Sequence, residues 1–370
     1  MFYSNYQTYA YGHDYGNSIT CGVVWINNQQ VALTMPSALT SGSYEALQTK
    51  ISSSSSVNLA GILNQRAHTV KVKGKSFYAG NLAIEQSPGA NIADLTGRGD
   101  VGRYWSDRNL AMLLSTSGSL IHDAEYGLAV VANLPIATHN EVNIRSVKNA
   151  LDGDYEYYLD GVKRVAHVIV KKTVMEGAGA NIAFGPGGQT KVGVIDIGGR
   201  TTDAYLVVGQ IPVADMCKSL DVGVESAFDE LVTRFEAEFR YPLSATDARA
   251  IQECYVHGKR YDVVPTVVNA EVDPMKVDTM VDEILRETGE QIASFIKRAW
   301  SSSLKTEVVV SDAQTILLIG GGAYYFEMDL KQLFRRRLSV PASPEFANAA
   351  GFAKLAQHYL QREQRVQHVS

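Results

Sequence analysis

One short pattern occurs twice in the chain. Asp14-Tyr-Gly16-Asn17 leads into the apolar run Cys21 to Ile26, a turn at Asn27-Asn28 and a second apolar run, Val31 to Met35. Asp196-Ile-Gly198-Gly199 leads into Ala204 to Val208, a turn at Gly209-Gln210 and the run Ile211 to Ala214. Apolar runs bounded by Gly and Asn turns read as successive antiparallel strands. The two acids stand 182 positions apart in a chain of 370 residues. That is far beyond the period of a solenoid, so the pattern predicts two related domains instead of an array.

With 45% hydrophobic and 20% charged residues the chain can fill two cores, which excludes disorder and small stapled scaffolds. A net charge of −5 gives no polycationic surface for direct binding to nucleic acid phosphates. Cys21, Cys217 and Cys254 are odd in number and widely spaced, which suits neither a disulfide framework nor a metal knuckle and points to a reducing, cytoplasmic setting. The opening MFYSNYQTYAYG lacks the charge and apolar order of a leader, and no apolar run approaches membrane-spanning length.

Leu128 to Ala132, stopped at Pro135, and Val165 to Val170 read as buried strands. The serines Ser52 to Ser56 read as a surface loop or a helix lead-in. Val224, Phe228, Leu231, Val232 and Phe235 keep helical spacing, as do Val277, Met280, Val281, Ile284 and Leu285. Strands alternating with such helices predict an α/β architecture of sheets covered by helices.

Chemistry concentrates at three places. In VGVIDIGGRTTDAYLV an apolar strand carries one acid, Asp196, then Gly198-Gly199 and the hydroxyls of Thr201-Thr202. A carboxylate at a strand end is costly to bury without a metal, donor or water. Glycines let backbone N–H groups approach an anion, so the segment reads as a phosphate cradle with Asp196 holding hydrated Mg²⁺. Read alone, it is equally a β-turn capped by its acid. Asp14-x-Gly16-Asn17-Ser18 repeats the acid and the glycine, although Tyr11, Gly12 and His13 make a poor apolar strand. Ile316 to Ile319 runs into Gly320-Gly321-Gly322, where a backbone can approach a flat ligand and Ala323 to Phe326 begin a helix or supply a ring face. A packing turn is the alternative there. Gly74-Lys75-Ser76 imitates the end of a P-loop, but Thr69 stands where its first glycine belongs.

Taken in order, these segments resemble the actin-like ATPases, most closely the prokaryotic plasmid-segregation branch that includes ParM and StbA. The resemblance runs through both hairpins, Phe77-Tyr-Ala-Gly80-Asn-Leu-Ala83, Leu134-Pro135, Gly320 to Gly322, and Pro344-Glu-Phe-Ala-Asn348-Ala-Ala-Gly351. It implies an actin-like fold of two related domains, mixed sheets covered by helices, with a nucleotide cleft between them. The expected divisions are 1–187, 188–344 and a closing helix, 345–370, returning to the first domain.

By position the resemblance implies ATP or GTP with Mg²⁺, Asp14 and Asp196 flanking the metal through water. Gly16, Asn17, Ser18, Gly198, Gly199, Arg200, Thr201 and Thr202 would contact phosphates. Gly320, Gly321, Gly322 and Tyr325 would face the adenosine, and Arg249, Gln252 and Glu253, on one helix face, the ribose and base. Those three also fit an ordinary surface ion-pair pattern. Glu176, otherwise an ordinary loop glutamate, would orient the water attacking the γ-phosphate. Many relatives keep a lysine seven residues after the first acid, where this chain has Cys21. Phosphate contact from the first domain is then expected to rest on backbone and hydroxyl donors.

The function implied is an ATPase that polymerises head to tail, disassembles on hydrolysis, and segregates plasmid DNA through a DNA-binding adaptor without touching nucleic acid or membrane itself. The alternatives are a monomeric scaffold of the same fold and a small-molecule kinase. Arg335-Arg336-Arg337 reads as a basic contact or as cations complementing a helix end.

Overall fold

Strand β1 (Thr8–Tyr15) forms the inner strand of a meander with β2 (Ile19–Ile26) and β3 (Gln29–Pro36), and β10 (Lys191–Ile197) does the same with β11 (Thr202–Val208) and β12 (Ile211–Pro212). The computed structural model describes residues 6–52, 59–87, 90, 92–97, 99–188, 190–209, 211–258, 272–301 and 313–367. Ser53 to Ser56 of the serine run, Gln210 of the second turn and residues 368–370 of the closing segment lie outside the described residues. The chain divides into two units, residues 1–184 with 346–370, and residues 185–345.

In the first unit the described strands form one sheet in the order β3-β2-β1-β7-β9-β8-β5-β6-β4. The added strands are β4 (Leu39–Ser41), β5 (Ala67–Val72), β6 (Lys75–Gly80), β7 (Glu125–Leu134), β8 (Gly153–Leu159) and β9 (Val162–Met175). The polar, tyrosine-rich β1 is a full central strand, contrary to the poor strand expected. Its rings pack, and several of its polar side-chain atoms find partners in the segment 109–123. Tyr9 Oη donates to Asp123 Oδ2 at 2.7 Å, Tyr11 Oη donates to Thr116 Oγ1 at 2.7 Å, and His13 Nε2 lies 2.7 Å from Asn109 Oδ1.

Helix α1 (Asp107–Leu120), capped by the Ser106 hydroxyl, packs Leu110, Leu113 and Leu114 into this core. Two further helices follow, α2 (Glu141–Leu151) and α3 (Ala178–Phe184). The long last helix of the chain, designated α8 (Ala347–Gln367), lies against β1 so closely that a methyl at Gly12 would collide with the backbone of Ala349 and Ala353. The P-loop imitation is a hairpin turn, with Lys73 and Gly74 at φ of 50° and 74° between β5 and β6. Ser119 Oγ lies 2.7 Å from His68 Nε2, whose Nδ1 lies 2.6 Å from Asp160 Oδ2. Ser119 also donates to Ser115 O at 2.6 Å, at the carbonyl end of α1, so this chain of contacts straps α1 to β5 and has the wrong helix pole for stabilising an oxyanion.

In the second unit the described strands run β12-β11-β10-β14-β15, with β13 (Lys218–Leu220) paired to β11, β14 (Thr315–Ile319) parallel to β10, and β15 (Leu338–Ser339) at the edge. The run expected as a strand to Ala214 stops at Pro212, which has no amide to donate, and turns into a 3₁₀ segment, Ala214–Met216. Among the described residues four helices cover the sheet: α4 (Val224–Phe239), α5 (Ala245–Val256), α6 (Pro274–Ala299) and α7 (Ala323–Phe334). The helical spacings hold, with Val224, Phe228, Leu231 and Phe235 buried on α4 and Val277, Val281, Ile284 and Leu285 on α6. Ser244 caps α5, and Asp273 followed by Pro274 starts α6. No helix among the described residues is long and apolar enough to cross a membrane.

Candidate functional site

The two acid-glycine segments make the same turn. In the first, Asp14 pairs with Cys21, Tyr15 pairs with Thr20, and Gly16 N donates to Ile19 O at 3.1 Å. In the second, Asp196 pairs with Asp203, Ile197 pairs with Thr202, and Gly198 N donates to Thr201 O at 2.9 Å. Each acid is followed at the same offsets by the donor, the acceptor and the cross-strand partner.

Their supports differ. Ser37 Oγ donates to Gly16 O at 2.8 Å in the first turn, and Ser37 N donates to Ser18 O at 2.9 Å. In the second, the first amides of α4 take the turn carbonyls, Val224 N to Gly198 O at 3.1 Å and Glu225 N to Gly199 O at 2.7 Å, which places a positive helix end beside the glycines. Burial pushes the Asp14 carboxyl up to about 7. Cross-strand from Asp196, burial raises Asp203 to about 6 although the Ser219 and Thr201 hydroxyls bond it.

Thr202 requires a correction. It is fully buried and its Oγ1 donates to Val222 O at 2.8 Å, so this hydroxyl is spent inside the fold. Arg200 lies 3.5 Å from Asp229, beside the same turn.

The glycine turn is laced to the second hairpin. Gly320 N donates to Pro344 O at 3.0 Å and Gly322 N donates to Ile197 O at 2.8 Å. Gly320 has φ +81°, and a methyl there would meet Ile197 O and stand 2.5 Å from Asp196 Oδ1. Arg249 and Tyr325 converge on one ring, with the Arg249 guanidinium 5.3 Å from the centre of Phe228 and Tyr325 edge-on to it at 6.1 Å. Arg249 also lies 3.6 Å from Glu225, and the exposed Glu253 is close enough to raise the Tyr325 hydroxyl after burial has done so. The single face expected for Arg249, Gln252 and Glu253 does not hold for Gln252, which turns into the core and donates to Ala227 O at 2.7 Å.

Glu176 follows the last residue of β9, and its amide donates to Leu134 O at 3.0 Å. Two side chains around it were missed from sequence. Asn133 accepts from Tyr15 N at 2.9 Å and donates to Glu176 Oε1 at 3.0 Å, joining the first hairpin to Glu176. Arg103, 1% exposed, donates to Tyr15 O at 3.3 Å.

Two features fit a nucleotide. Nothing stands within 4 Å of a Cβ placed on Gly321, and Gly198 meets only Thr201 O at 3.5 Å, so neither glycine is demanded by the chain's own packing. Among the described residues no group of three or more His, Cys, Asp or Glu is placed to hold a metal ion. The carboxylates at the two turns, Asp14 at the first and Asp196 with Asp203 at the second, have the chemistry of ligands to a hydrated Mg²⁺.

Residues 12–179 match the family model described as the N-terminal domain of actin-like proteins, and residues 194–332 match that of the archaeal actin homologue MreB-like, C-terminal. The chain belongs to the actin-like proteins. No curated protein sequence matches it at a significant level. Among solved structures, this actin-like chain is similar to a 15-stranded ParM filament from Clostridium botulinum, at TM-score 0.69 and 19% identity over 95% of this chain and 99% of that one. It is similar to Ta0583, an archaeal actin homologue, at TM-score 0.69 and 18% identity over 95% and 99%. Bacillus thuringiensis ParM with ATP matches at TM-score 0.66 and 12% identity over 96% and 100%.

Proposed function

We propose that this actin-like chain is a nucleotide-dependent filament protein that hydrolyses ATP or GTP with Mg²⁺ in a reducing cytoplasm. The reading rests on one observation, the two acid-glycine turns with the same internal hydrogen bond and the same pairing register. Gly16, Asn17, Ser18, Gly198, Gly199, Arg200 and Thr201 contact phosphates. Asp14 and Asp196 hold waters of the metal, which when bound neutralises polyphosphate charge. Gly321, Arg249, Glu253 and Tyr325 face the nucleoside, and Glu176, held by Asn133, orients the attacking water. The working domains are 1–187 and 188–344 with the returning segment 345–370.

Solved relatives that are a filament and an ATP complex support polymerisation and ATP as the nucleotide. Plasmid DNA reached through a DNA-binding adaptor is the cargo that the resemblance to ParM favours. The test is ninety-degree light scattering on adding Mg²⁺-ATP, with released phosphate followed in the same cuvette and Mg²⁺-GTP alongside. A rise above a critical concentration that decays as phosphate appears is the expected result. A flat trace despite nucleotide binding overturns polymerisation and leaves the monomeric scaffold or the small-molecule kinase, which product analysis separates.

A further inference from the structure

Arg103 lies in a 3₁₀ turn, Val101–Trp105, just before α1, and is buried to 1% exposure. Burying an arginine is costly unless an acid or a set of dipoles answers it. Its described hydrogen bonds all go to neutral groups: Nη1 donates to Thr96 O at 3.2 Å, and Nη2 to Tyr15 O at 3.3 Å and Tyr104 Oη at 3.2 Å. The guanidinium sits against two ring faces, 4.6 Å from the centre of Tyr15 and 4.7 Å from that of Tyr104. Tyr15 is the residue between Asp14 and the turn glycine Gly16. Glu176 is the acid whose charge reaches the guanidinium.

The first turn therefore has two acids around it, Asp14 and Glu176, and a thiol, Cys21, across the strand pair from Asp14. Bringing a polyphosphate to it adds more negative charge. The second turn has the positive end of α4 for this purpose, whereas the first has the guanidinium of Arg103 one residue behind it, buried where Coulomb forces are weakly screened, with Arg108 also close enough to act on Tyr15.

We propose that Arg103 is a positioning residue that supplies the positive charge of the first hairpin from behind its turn, and so sets how tightly that hairpin holds the phosphates of a nucleotide. The inference rests on the nucleotide reading above. It differs from a purely structural role, in which Arg103 only ties Tyr15 to Thr96, because a charge acts in proportion to the phosphates present.

The test titrates the full chain and its Arg103 variants with Mg²⁺-ATP, ADP and adenosine. Arg103→Met should weaken ATP binding about tenfold, ADP binding less, and adenosine binding less than about twofold. Arg103→Lys, which keeps the charge without the fork, should recover most of the ATP affinity. Equal losses for ATP and adenosine, or Arg103→Lys no better than Arg103→Met, overturn the inference while leaving the nucleotide reading intact. If Arg103→Met does not fold, Arg103→Gln against Arg103→Lys makes the same comparison. A wild-type chain that binds no ATP overturns the nucleotide reading and this inference with it.

Discussion

The two hairpin turns share their backbone and differ in everything that surrounds it. Each acid has its donor, acceptor and cross-strand partner at the same offsets. Around the second turn, helix amides hold the carbonyls and Gly320 closes on the Asp196 carboxyl. Around the first, a serine hydroxyl and a buried arginine do the holding, and the acid lies deep enough to be pushed up to about 7. Duplicated topology thus carries two unlike electrostatic solutions. Pairing pattern is a property of the backbone, while charge is set by whichever neighbours reach the turn.

The largest expected effect lies with the side chain tied to the first turn. Glu176→Ala should slow phosphate release about a thousandfold with nucleotide binding retained. Glu176→Gln, whose amide oxygen can still accept from Asn133 and from a water, should lose much less. An unchanged single-turnover rate in Glu176→Ala removes Glu176 from the chemistry. Next, Asp196→Ala should weaken Mg²⁺-nucleotide binding about a hundredfold and Asp14→Ala only about tenfold, since a carboxyl pushed up to about 7 is partly protonated at neutral pH before ligand arrives. Equal losses in a nucleotide titration would mean the two turns are electrostatically alike after all.

A smaller contrast separates two neighbouring glycines. Gly320→Ala should cost about 2–4 kcal/mol of folding stability, from its left-handed φ and its collision with the Ile197 carbonyl. Gly321→Ala should leave denaturant midpoints unchanged and weaken nucleotide binding several-fold, because the room beside it is not used by the chain. A further effect is on pH. Asp14 and Asp203 have folded values of about 7 and about 6 against an ordinary 3.8. The native state therefore holds protons that the unfolded chain has released. Stability of the ligand-free protein should be greatest below about pH 4 on this account and fall as pH rises through those values, by several degrees of Tm. Asp14→Asn should flatten the upper part of that fall and Asp203→Asn the lower part. A Tm profile unchanged by Asp14→Asn would place its carboxyl in water.

What could be read from the sequence was the backbone, and what could not was the set of neighbours. Val192 to Ile197, apolar but for one acid, announces a buried strand ending at a site. Thr8 to Tyr15 hides the same strand behind tyrosines and a histidine, because the groups that satisfy them, Asn109, Thr116 and Asp123, lie about a hundred residues away. Thr201 and Thr202 look equivalent in a motif, yet alternation across the strand leaves one beside the turn and sends the other to Val222. Asn133 had a signal, since an amide inside the apolar strand Tyr126 to Leu134 must find partners. Arg103 had none, because its partners, Tyr15, Thr96 and Tyr104, share no spacing rule with it.

The close approach of β1 to α8 orders events during synthesis. The first strand of the central sheet has a bare glycine flank waiting for a helix that begins more than three hundred residues later. Residues 185–345 have all their own strands translated before that helix exists. On the ribosome, the earlier-encoded unit therefore keeps one sheet face uncovered until Ala347 to Gln367 emerge.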